Sequence, residues 1–318
     1  MNNTKDHQML IRTLLILSFA SLNLYLTAEH TNNNQIKNIQ KILVKQIPLA
    51  DKGIPLYYWD CRDAFDFTNF GDGLSEKIIE RIVGHRILTT FNHSLYYYHK
   101  KNKLLSVGSI LHMAENGDVI WGSGVNGKHL DKTDKSIYRF TKLDVRAVRG
   151  PLTRKFLLEM GIRCPAVYGD PALLLPKLFP EFKKAQHPSL EYVIIPHPFD
   201  EHLFVNHPHF FSNREDWDLV IKKILDSKLV ISTSLHGLIV AEAFGIPARY
   251  LRVSEGEPLF KYEDYYLGTG RRSFSYATTI EEALAMGGEL SPQYNLDQLL
   301  KAFPFEFFPK STNRWIDP

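Results

Sequence analysis

Residues 228–247 read KLVISTSLHGLIVAEAFGIP, and this stretch decides the fold prediction. Its opening apolar run predicts a buried strand, and the apolar residues that end before Gly245 predict a helix. Three hydroxyl residues, Ser232, Thr233 and Ser234, separate the strand from the helix. The first turn of a helix leaves N–H groups unpaired and carries partial positive charge, so this loop favours an anion. Hydroxyl residues that only cap the helix are the alternative interpretation.

The composition is that of a globular protein with no strong charge bias. The 318 residues include 38 basic and 35 acidic side chains, and 44% are hydrophobic. A length of this size favours two domains. A net charge of +3 argues against a nucleic-acid partner but leaves room for a local anion site. The two cysteines, Cys61 and Cys164, have no metal-ligand spacing, so no metal site and no disulfide framework are predicted, and a single bridge between them is the alternative.

The amino terminus differs in kind from the rest of the chain. Lys5 and Arg12 accompany an apolar segment within residues 9–28, which is interrupted by polar residues. It is shorter than the roughly 20 apolar residues of a spanning helix. It is interpreted as a secretory signal peptide, a signal-anchor associated with the membrane, or an amphipathic extension that stays in the cytoplasm. Residues 1–50 are therefore set apart as a signal-like or anchor segment plus a polar linker.

From residue 55 onward, short apolar runs alternate with helical patterns, which predicts an α/β fold with parallel strands. Strands are predicted at 56–59, 104–107, 119–121, 144–148, 166–168, 191–195, 228–231 and 248–253, and helices at 74–83, 149–160, 213–225 and 279–286. A proline-containing stretch without periodicity marks a boundary. It divides an N-terminal Rossmann-like domain, 51–185, from a C-terminal Rossmann-like domain with a donor-binding loop, 186–318. Ligands of such folds sit at the carboxyl ends of the strands, in the cleft.

Loops after the predicted strands of the first half contain candidate site residues. Asp72 precedes the first predicted helix, where it either caps that helix or accepts a proton from a hydroxyl substrate. Asn69 and Gly71 lie beside it. Small residues that directly follow two buried strands leave room for a substrate or let a helix pack closely: Gly108, Ser109, Gly122, Ser123 and Gly124. Their spacing is not that of a dinucleotide-binding loop.

Three further side chains are candidates for binding an anion or moving a proton. Arg149 lies between a predicted strand and helix, and its planar guanidinium suits phosphate or carboxylate, with a surface salt bridge as the alternative. His197 lies between two prolines that stiffen the backbone, and His236 begins the helix of the opening stretch. Asp170 either faces the cleft or opens a turn. We expect His197, His236 and Arg149 to point into one cleft that faces Asp72.

Seven segments, in order, resemble the polysaccharide pyruvyl transferase family, in its exopolysaccharide and lipopolysaccharide branch. They are NFGD at 69–72, LSVGS at 105–109, VIWGSG at 119–124, VRGPLTR at 148–154, YGDP at 168–171, IPH at 195–197 and STSLHGL at 232–238. The resemblance covers about residues 55–255. It implies two Rossmann-like halves facing a cleft, arranged like a GT-B glycosyltransferase.

The resemblance also implies transfer of a pyruvyl group from phosphoenolpyruvate to sugar hydroxyls of a cell-surface glycan or glycolipid precursor, which forms a ketal. Phosphoenolpyruvate is a co-substrate, and no cofactor or metal is expected. The catalytic candidates are then Asp72, His197 and His236, and the donor-binding candidates are Arg149, Ser232, Thr233, Ser234, His236 and Gly237. The acceptor or cleft candidates are Asn69, Gly71, Gly108, Ser109, Gly122, Ser123 and Gly124.

One position departs from the family pattern. Many relatives carry arginine two residues before the loop histidine, where this chain has Ser234. A hydroxyl does not replace that charge, so another cation has to compensate if the donor is the same. Two other functions remain as alternatives: a GT-B glycosyltransferase that uses a nucleotide sugar, and a non-catalytic glycan-binding relative.

Overall fold

The computed structural model of the chain describes residues 53–59, 67–87, 89, 102–128, 130 and 137–308. The predicted signal-like or anchor segment with its linker, residues 1–50, lies outside the described residues and stays a prediction. Across the described ranges, the helices are too short or too polar to span a lipid bilayer.

The described residues contain seven strands and eight α-helices. The strands are β1 (Leu56–Tyr57), β2 (Leu104–Leu105), β3 (Val119–Trp121), β4 (Asp144–Ala147), β5 (Val193–Ile195), β6 (Val230–Ser232) and β7 (Ala248–Tyr250). The helices are α1 (Phe70–Val83), α2 (Pro151–Glu159), α3 (Leu175–Leu178), α4 (Trp217–Leu225), α5 (Leu235–Ala243), α6 (Phe260–Gly268), α7 (Ile280–Met286) and α8 (Leu296–Lys301). Short 3₁₀ helices cover Leu111–Met113, Pro171–Leu174, Glu201–Leu203 and Phe305–Phe307.

The strands form two parallel sheets. One has the order β1-β2-β3-β4 and the other the order β5-β6-β7, and every neighbouring pair is parallel. Parallel neighbours need a crossover connection, and α4 and α5 provide it in the second sheet. The predicted α/β fold with parallel strands is therefore confirmed. The domain boundary between residues 185 and 186 stays a prediction.

Most predicted strands and helices are present in the structure as the predicted type of element, but their bounds differ. The strand at 119–121 has the predicted bounds, whereas most of the others are shorter. The expected strand at 166–168 is reduced to a single bridge between Val148 and Tyr168. The helix predicted to begin at 213 begins at Trp217. Helix α6, which the sequence patterns did not predict, packs against α2 of the first half.

Helix α1 begins four residues earlier than predicted because Asn69 caps it. Asn69 has an extended backbone, and its side-chain oxygen accepts the N–H of Gly71 at 3.1 Å. Its amide group donates to Asp72 Oδ2 at 2.9 Å. Asp72 therefore lies in the first turn of the helix, and the interpretation of Asp72 as the N-cap is wrong.

One hydrophobic core joins the two sheets. It includes Leu74 and Ile78 of α1 together with Leu238 and Ile239 of α5, all of them fully buried. Helix α5 is buried along nearly its whole circumference, as expected of a helix that is apolar on all sides. It packs against the 3₁₀ helix Pro171–Leu174, and α1 packs against α4. This packing brings the first turns of α1 and α5 into contact.

Candidate functional site

A pocket of about 320 Å³ lies where loops from both sheets meet. Its size is at the lower end of the range typical of ligand sites. Six of the residues predicted from the sequence line it: Asn69, Asp72, Ser109, His197, Ser234 and His236. The lining also contains residues that no motif indicated, among them Trp59, Phe67, Asn126, Lys128, Phe199, Glu257 and Lys261.

His236 is held between α1 and Asp170. A Cβ atom added to Gly71 would collide with the Cβ, Cγ and Nδ1 atoms of His236, so this position of α1 has to be glycine for the imidazole to fit. On the other side, His236 Nε2 lies 3.7 Å from Asp170 Oδ2. The Nε2 atom is buried and has no hydrogen-bond partner among the described residues. Among the described residues, the polar group that it faces is therefore the Asp170 carboxylate.

Of the two roles that the sequence left open for Asp170, the structure shows that it opens the turn, and it is not among the residues that line the pocket. Its Oδ1 atom accepts the N–H of Ala172 at 2.9 Å and so caps the 3₁₀ helix Pro171–Leu174. Its other carboxylate oxygen faces His236. The side chain is almost completely buried, and this burial favours a rigid partner for the imidazole.

Asp72 occupies a recess beside Gly108. Its Oδ1 atom lies 3.2 Å from the place where a Cβ of Gly108 would be, and Gly108 adopts a φ of 111°, which disfavours any side chain. Burial raises the pKa of Asp72 to about 6, although His236 and Lys261 partly oppose the rise. A carboxyl group with this pKa exchanges a proton readily near neutral pH.

His197 lies at the end of β5, and Thr233 and Asp200 fix its backbone. Its N–H donates to Thr233 Oγ1 at 2.7 Å, and the Thr233 hydroxyl donates to Asp200 Oδ2 at 2.7 Å. Burial, together with the smaller effect of the charge of Lys261, lowers the pKa of His197 to about 4. The imidazole is therefore neutral at pH 7 and can accept a proton or a hydrogen bond.

The hydroxyl loop before α5 is held by its own hydrogen bonds. The Ser232 hydroxyl donates to the Ile195 carbonyl and accepts the N–H of Ser234 at 3.0 Å. A Cβ at Gly237 would collide with the side chain of Ser232, so the glycine allows the loop to pack against the helix. Ser234 is the N-cap residue, but its side chain makes no capping hydrogen bond. The interpretation of these hydroxyls as simple caps is therefore wrong for Ser234.

Arg149 lies behind the pocket rather than in it, which corrects the expectation that its guanidinium points into the cleft. The residue is 1% exposed. Its Nε atom donates to Asp264 Oδ2 at 3.1 Å, one terminal nitrogen donates to the Val125 carbonyl at 2.7 Å, and the other donates to Ser109 Oγ at 2.5 Å. The surface salt bridge is also wrong, because the ion pair is buried. Direct contact of Arg149 with a donor stays a prediction.

The small residues after β3 serve internal packing. A Cβ at Gly122 would collide with the Pro171 ring, and one at Gly124 would collide with the Arg149 guanidinium. The Ser123 hydroxyl is buried and donates to the Gly108 carbonyl at 2.9 Å. None of the three lines the pocket, and of the two alternatives weighed for them, close packing is the one that the structure shows.

Two lysines and a glutamate form a charged group on one wall of the pocket. Lys261 Nζ lies 2.5 Å from Glu257 Oε2, and Lys128 Nζ lies 2.7 Å from Glu257 Oε1. Although burial by itself raises the pKa of Glu257, the neighbouring Lys261, His197 and Lys128 together outweigh this effect and lower the pKa to about 2. Sequence motifs did not indicate these residues, because Lys128 and the 257–261 segment meet only in the folded chain.

Within the described ranges, no three His, Cys, Asp or Glu side chains are grouped so that they could hold a metal ion. Cys164 is buried and free, and burial raises the pKa of its thiol to about 11.

Residues 69–255 match the family model of polysaccharide pyruvyl transferases. The chain belongs to this family. The matched segment begins at the cap of α1 and ends after β7, so it contains Asp72, His197 and His236 together with both parallel sheets. Glu257 and Lys261 lie just beyond it.

Two curated proteins are similar to this family member. An uncharacterized protein of Acanthamoeba polyphaga mimivirus is 27% identical over 253 residues, which are 74% of this chain and 84% of the viral protein. The succinoglycan biosynthesis protein ExoV of Rhizobium meliloti is 26% identical over 223 residues, 66% of this chain and 63% of ExoV. The match thus spans less than two thirds of ExoV. A solved structure of an uncharacterized Klebsiella pneumoniae protein has a TM-score of 0.43 at 14% identity, covering 78% of this chain and 100% of that chain.

Proposed function

We propose that this protein transfers a pyruvyl group from phosphoenolpyruvate to two hydroxyls of a sugar in a cell-surface glycan or its precursor. The products are a cyclic ketal and phosphate. The observation that carries the proposal is the shared pocket of Asp72, His197 and His236, within the segment that matches the family. The similarity to a protein of succinoglycan biosynthesis supports an exopolysaccharide acceptor.

The reaction needs groups that exchange protons. Two new bonds form between sugar oxygens and C2 of the donor, and the bond between C2 and the phosphate oxygen breaks. One hydroxyl hydrogen ends on the methylene carbon, which becomes a methyl group, and the other ends on the phosphate. Asp72, with a pKa of about 6, takes the proton of an attacking hydroxyl. His197 is neutral at pH 7 and serves as the second acceptor.

His236 positions the donor. The residue lines the pocket, and it lies in the first turn of a helix, where negative charge is favoured. Arg149 supports the same site from behind by holding the Ser109 hydroxyl. A reaction that forms an anion benefits from such fixed dipoles, because they need no reorganisation.

We also propose that the two parallel sheets are the centres of two Rossmann-like halves in a GT-B-like arrangement. The pocket supports this, because its lining comes from loops after strands of both sheets. Sites between two such halves are common in α/β proteins.

The purified full chain, incubated with phosphoenolpyruvate and a panel of sugar acceptors, tests the proposal. We expect phosphate release that depends on the acceptor, together with a product whose mass and NMR spectrum show a pyruvyl ketal. We expect the Asp72→Asn and His236→Gln variants to lose turnover while remaining folded, with Asp72→Asn melting no lower than the wild type.

Other outcomes would identify the alternatives. Release of a nucleoside diphosphate from a nucleotide sugar would contradict pyruvyl transfer and indicate a glycosyltransferase. Tight glycan binding without turnover of either donor would indicate a non-catalytic glycan-binding protein.

A further inference from the structure

The positive charge of the pocket comes from two lysines that no sequence motif indicated. Among the described residues that line it, the lysines and arginines are Lys128 and Lys261. Ser234 is uncharged, and Arg149 is 1% exposed, is not among the residues that line the pocket, and donates to Asp264, Val125 and Ser109. A donor with a phosphate and a carboxylate therefore meets cationic nitrogen mainly on the wall of the two lysines.

Lys261 lies at a position that does not favour the stability of the fold. Its side chain is 7% exposed, and a lysine buried to this degree depends on an ion pair, which Glu257 provides here. It occupies the first turn of α6, where the partial positive charge of the helix repels a cation. Burial lowers the pKa of Lys261, and Glu257 opposes that effect. A lysine kept at such a site suggests a role in binding.

Glu257 links the two ammonium groups without using their full capacity. One carboxylate oxygen accepts from Lys128 and the other from Lys261. Each ammonium group has three N–H donors, so each retains donors for a further partner. Two lysines and one carboxylate also leave one net positive charge on this wall of the pocket.

We propose that Lys128 and Lys261, held together by Glu257, form the anion subsite of the pocket and bind the phosphate group of the donor. The inference rests on the proposed function for the identity of that donor. It makes the lysine pair the source of the charge that Ser234 does not supply. Lysine is a common phosphate ligand, acting as a point charge. Glu257 is then a positioning residue that keeps the two lysines on the same wall.

The test measures binding without turnover. Inorganic phosphate, phosphoenolpyruvate and pyruvate are titrated separately into the full chain, by calorimetry or by ³¹P and saturation-transfer NMR. The variants are Lys261→Met, Lys128→Met and Lys261→Arg. Lys228→Met is the matched control, because Lys228 pairs with Glu191 on the exposed surface outside the pocket.

We expect each methionine variant to weaken the binding of phosphate and phosphoenolpyruvate by about tenfold to a hundredfold, the range for one charge-assisted hydrogen bond. Pyruvate has no phosphate, so its binding should change less. The arginine variant should retain most of the affinity, and the control should match the wild type. In turnover assays, the KM for phosphoenolpyruvate should rise more than kcat falls.

Unchanged affinity in both methionine variants would overturn the inference, as would a wild type that binds neither phosphate nor phosphoenolpyruvate. The Lys128 side chain is 43% exposed, so Lys128→Met decides the matter even if Lys261→Met does not fold. Lysine-dependent phosphate binding without phosphate release from phosphoenolpyruvate would contradict the proposed function and leave the anion subsite in place. Acceptor-dependent phosphate release, with an unchanged KM for phosphoenolpyruvate in both methionine variants, would support the proposed function and contradict the anion subsite.

Discussion

Replacing Gly71 by alanine would place a methyl group in the space that the His236 side chain occupies next to its backbone. The nearest atoms to the added Cβ are Cβ, Cγ and Nδ1 of His236, which are close to the backbone and cannot swing away. His236 lies in the first turn of a buried helix, so its backbone is held as well. Gly73, two residues further along α1, has no atom within 4 Å of an added Cβ and is the matched control.

The expected magnitudes follow from this geometry. Carbon atoms in ordinary contact are about 3.5–4.0 Å apart, so the ring or the helix has to move by about 1 Å. Overpacking of this kind costs about 1–3 kcal/mol, and exchanging glycine for alanine in a helix returns about 1 kcal/mol. Gly71→Ala should therefore lose about 0–2 kcal/mol of stability, whereas Gly73→Ala should gain up to about 1 kcal/mol. A displacement of about 1 Å at a reacting group costs about a hundredfold in rate.

Denaturant unfolding measures the first quantity, and acceptor-dependent phosphate release measures the second. We expect Gly71→Ala to fold and to lose about a hundredfold in kcat, with Gly73→Ala as active as the wild type. A Gly71→Ala variant with full turnover would refute the reasoning, because it would mean that the contact between α1 and the imidazole does not position His236. Equal losses in both variants would refute it too.

Three further substitutions and the pH dependence of turnover have expected outcomes of different kinds. The pKa of Asp72 is higher in the folded chain than in the unfolded one, so ionisation of this carboxyl group opposes folding. Denaturant unfolding should therefore show that Asp72→Asn raises the free energy of unfolding by up to about 3 kcal/mol at pH 8 and leaves it unchanged below pH 4. With Asp72 as the base, kcat/KM should rise up to about pH 6 and then level off, and a profile that falls above pH 6 would contradict this role. Arg149→Ala should lose about 3–5 kcal/mol of stability because it leaves Asp264 buried without its partner, and a small loss would show that the ion pair is not essential to the fold. Thr233→Val should cost about 1–3 kcal/mol and release the His197 backbone, which a shift of the His197 imidazole signals in NMR would detect.

The local parts of the candidate site were predictable from the sequence. The alternation of apolar runs and helical patterns predicted parallel strands, and the polar residues after them indicated where a pocket would form. Asp72, His197 and His236 each follow a strand of the two sheets, and the structure brings all three to one pocket. Residues at the carboxyl ends of parallel strands meet at the same edge of a sheet, whatever their distance along the chain.

The distribution of positive charge was not predictable in the same way. The sequence around Arg149 is typical of an anion ligand. In the structure, however, its guanidinium is hydrogen-bonded to Asp264 of α6 and lies behind the pocket. Lys261 belongs to the same helix, which the sequence analysis did not predict. Because α6 packs against α2 of the first half, one contact between distant segments decides both which cation is buried in the core and which one lines the pocket.

Patterns of period 2 and 3.6 depend only on neighbouring residues, and for that reason the sequence by itself determined the α/β class and the parallel strands. The family was indicated separately, by the resemblance of seven short segments in order along the chain. The direction of each side chain depends on what packs against it from elsewhere in the chain. Only the tertiary structure could therefore decide that Gly71 makes room for His236, that Arg149 is structural in its contacts, and that Lys128, Glu257 and Lys261 share one wall of the pocket.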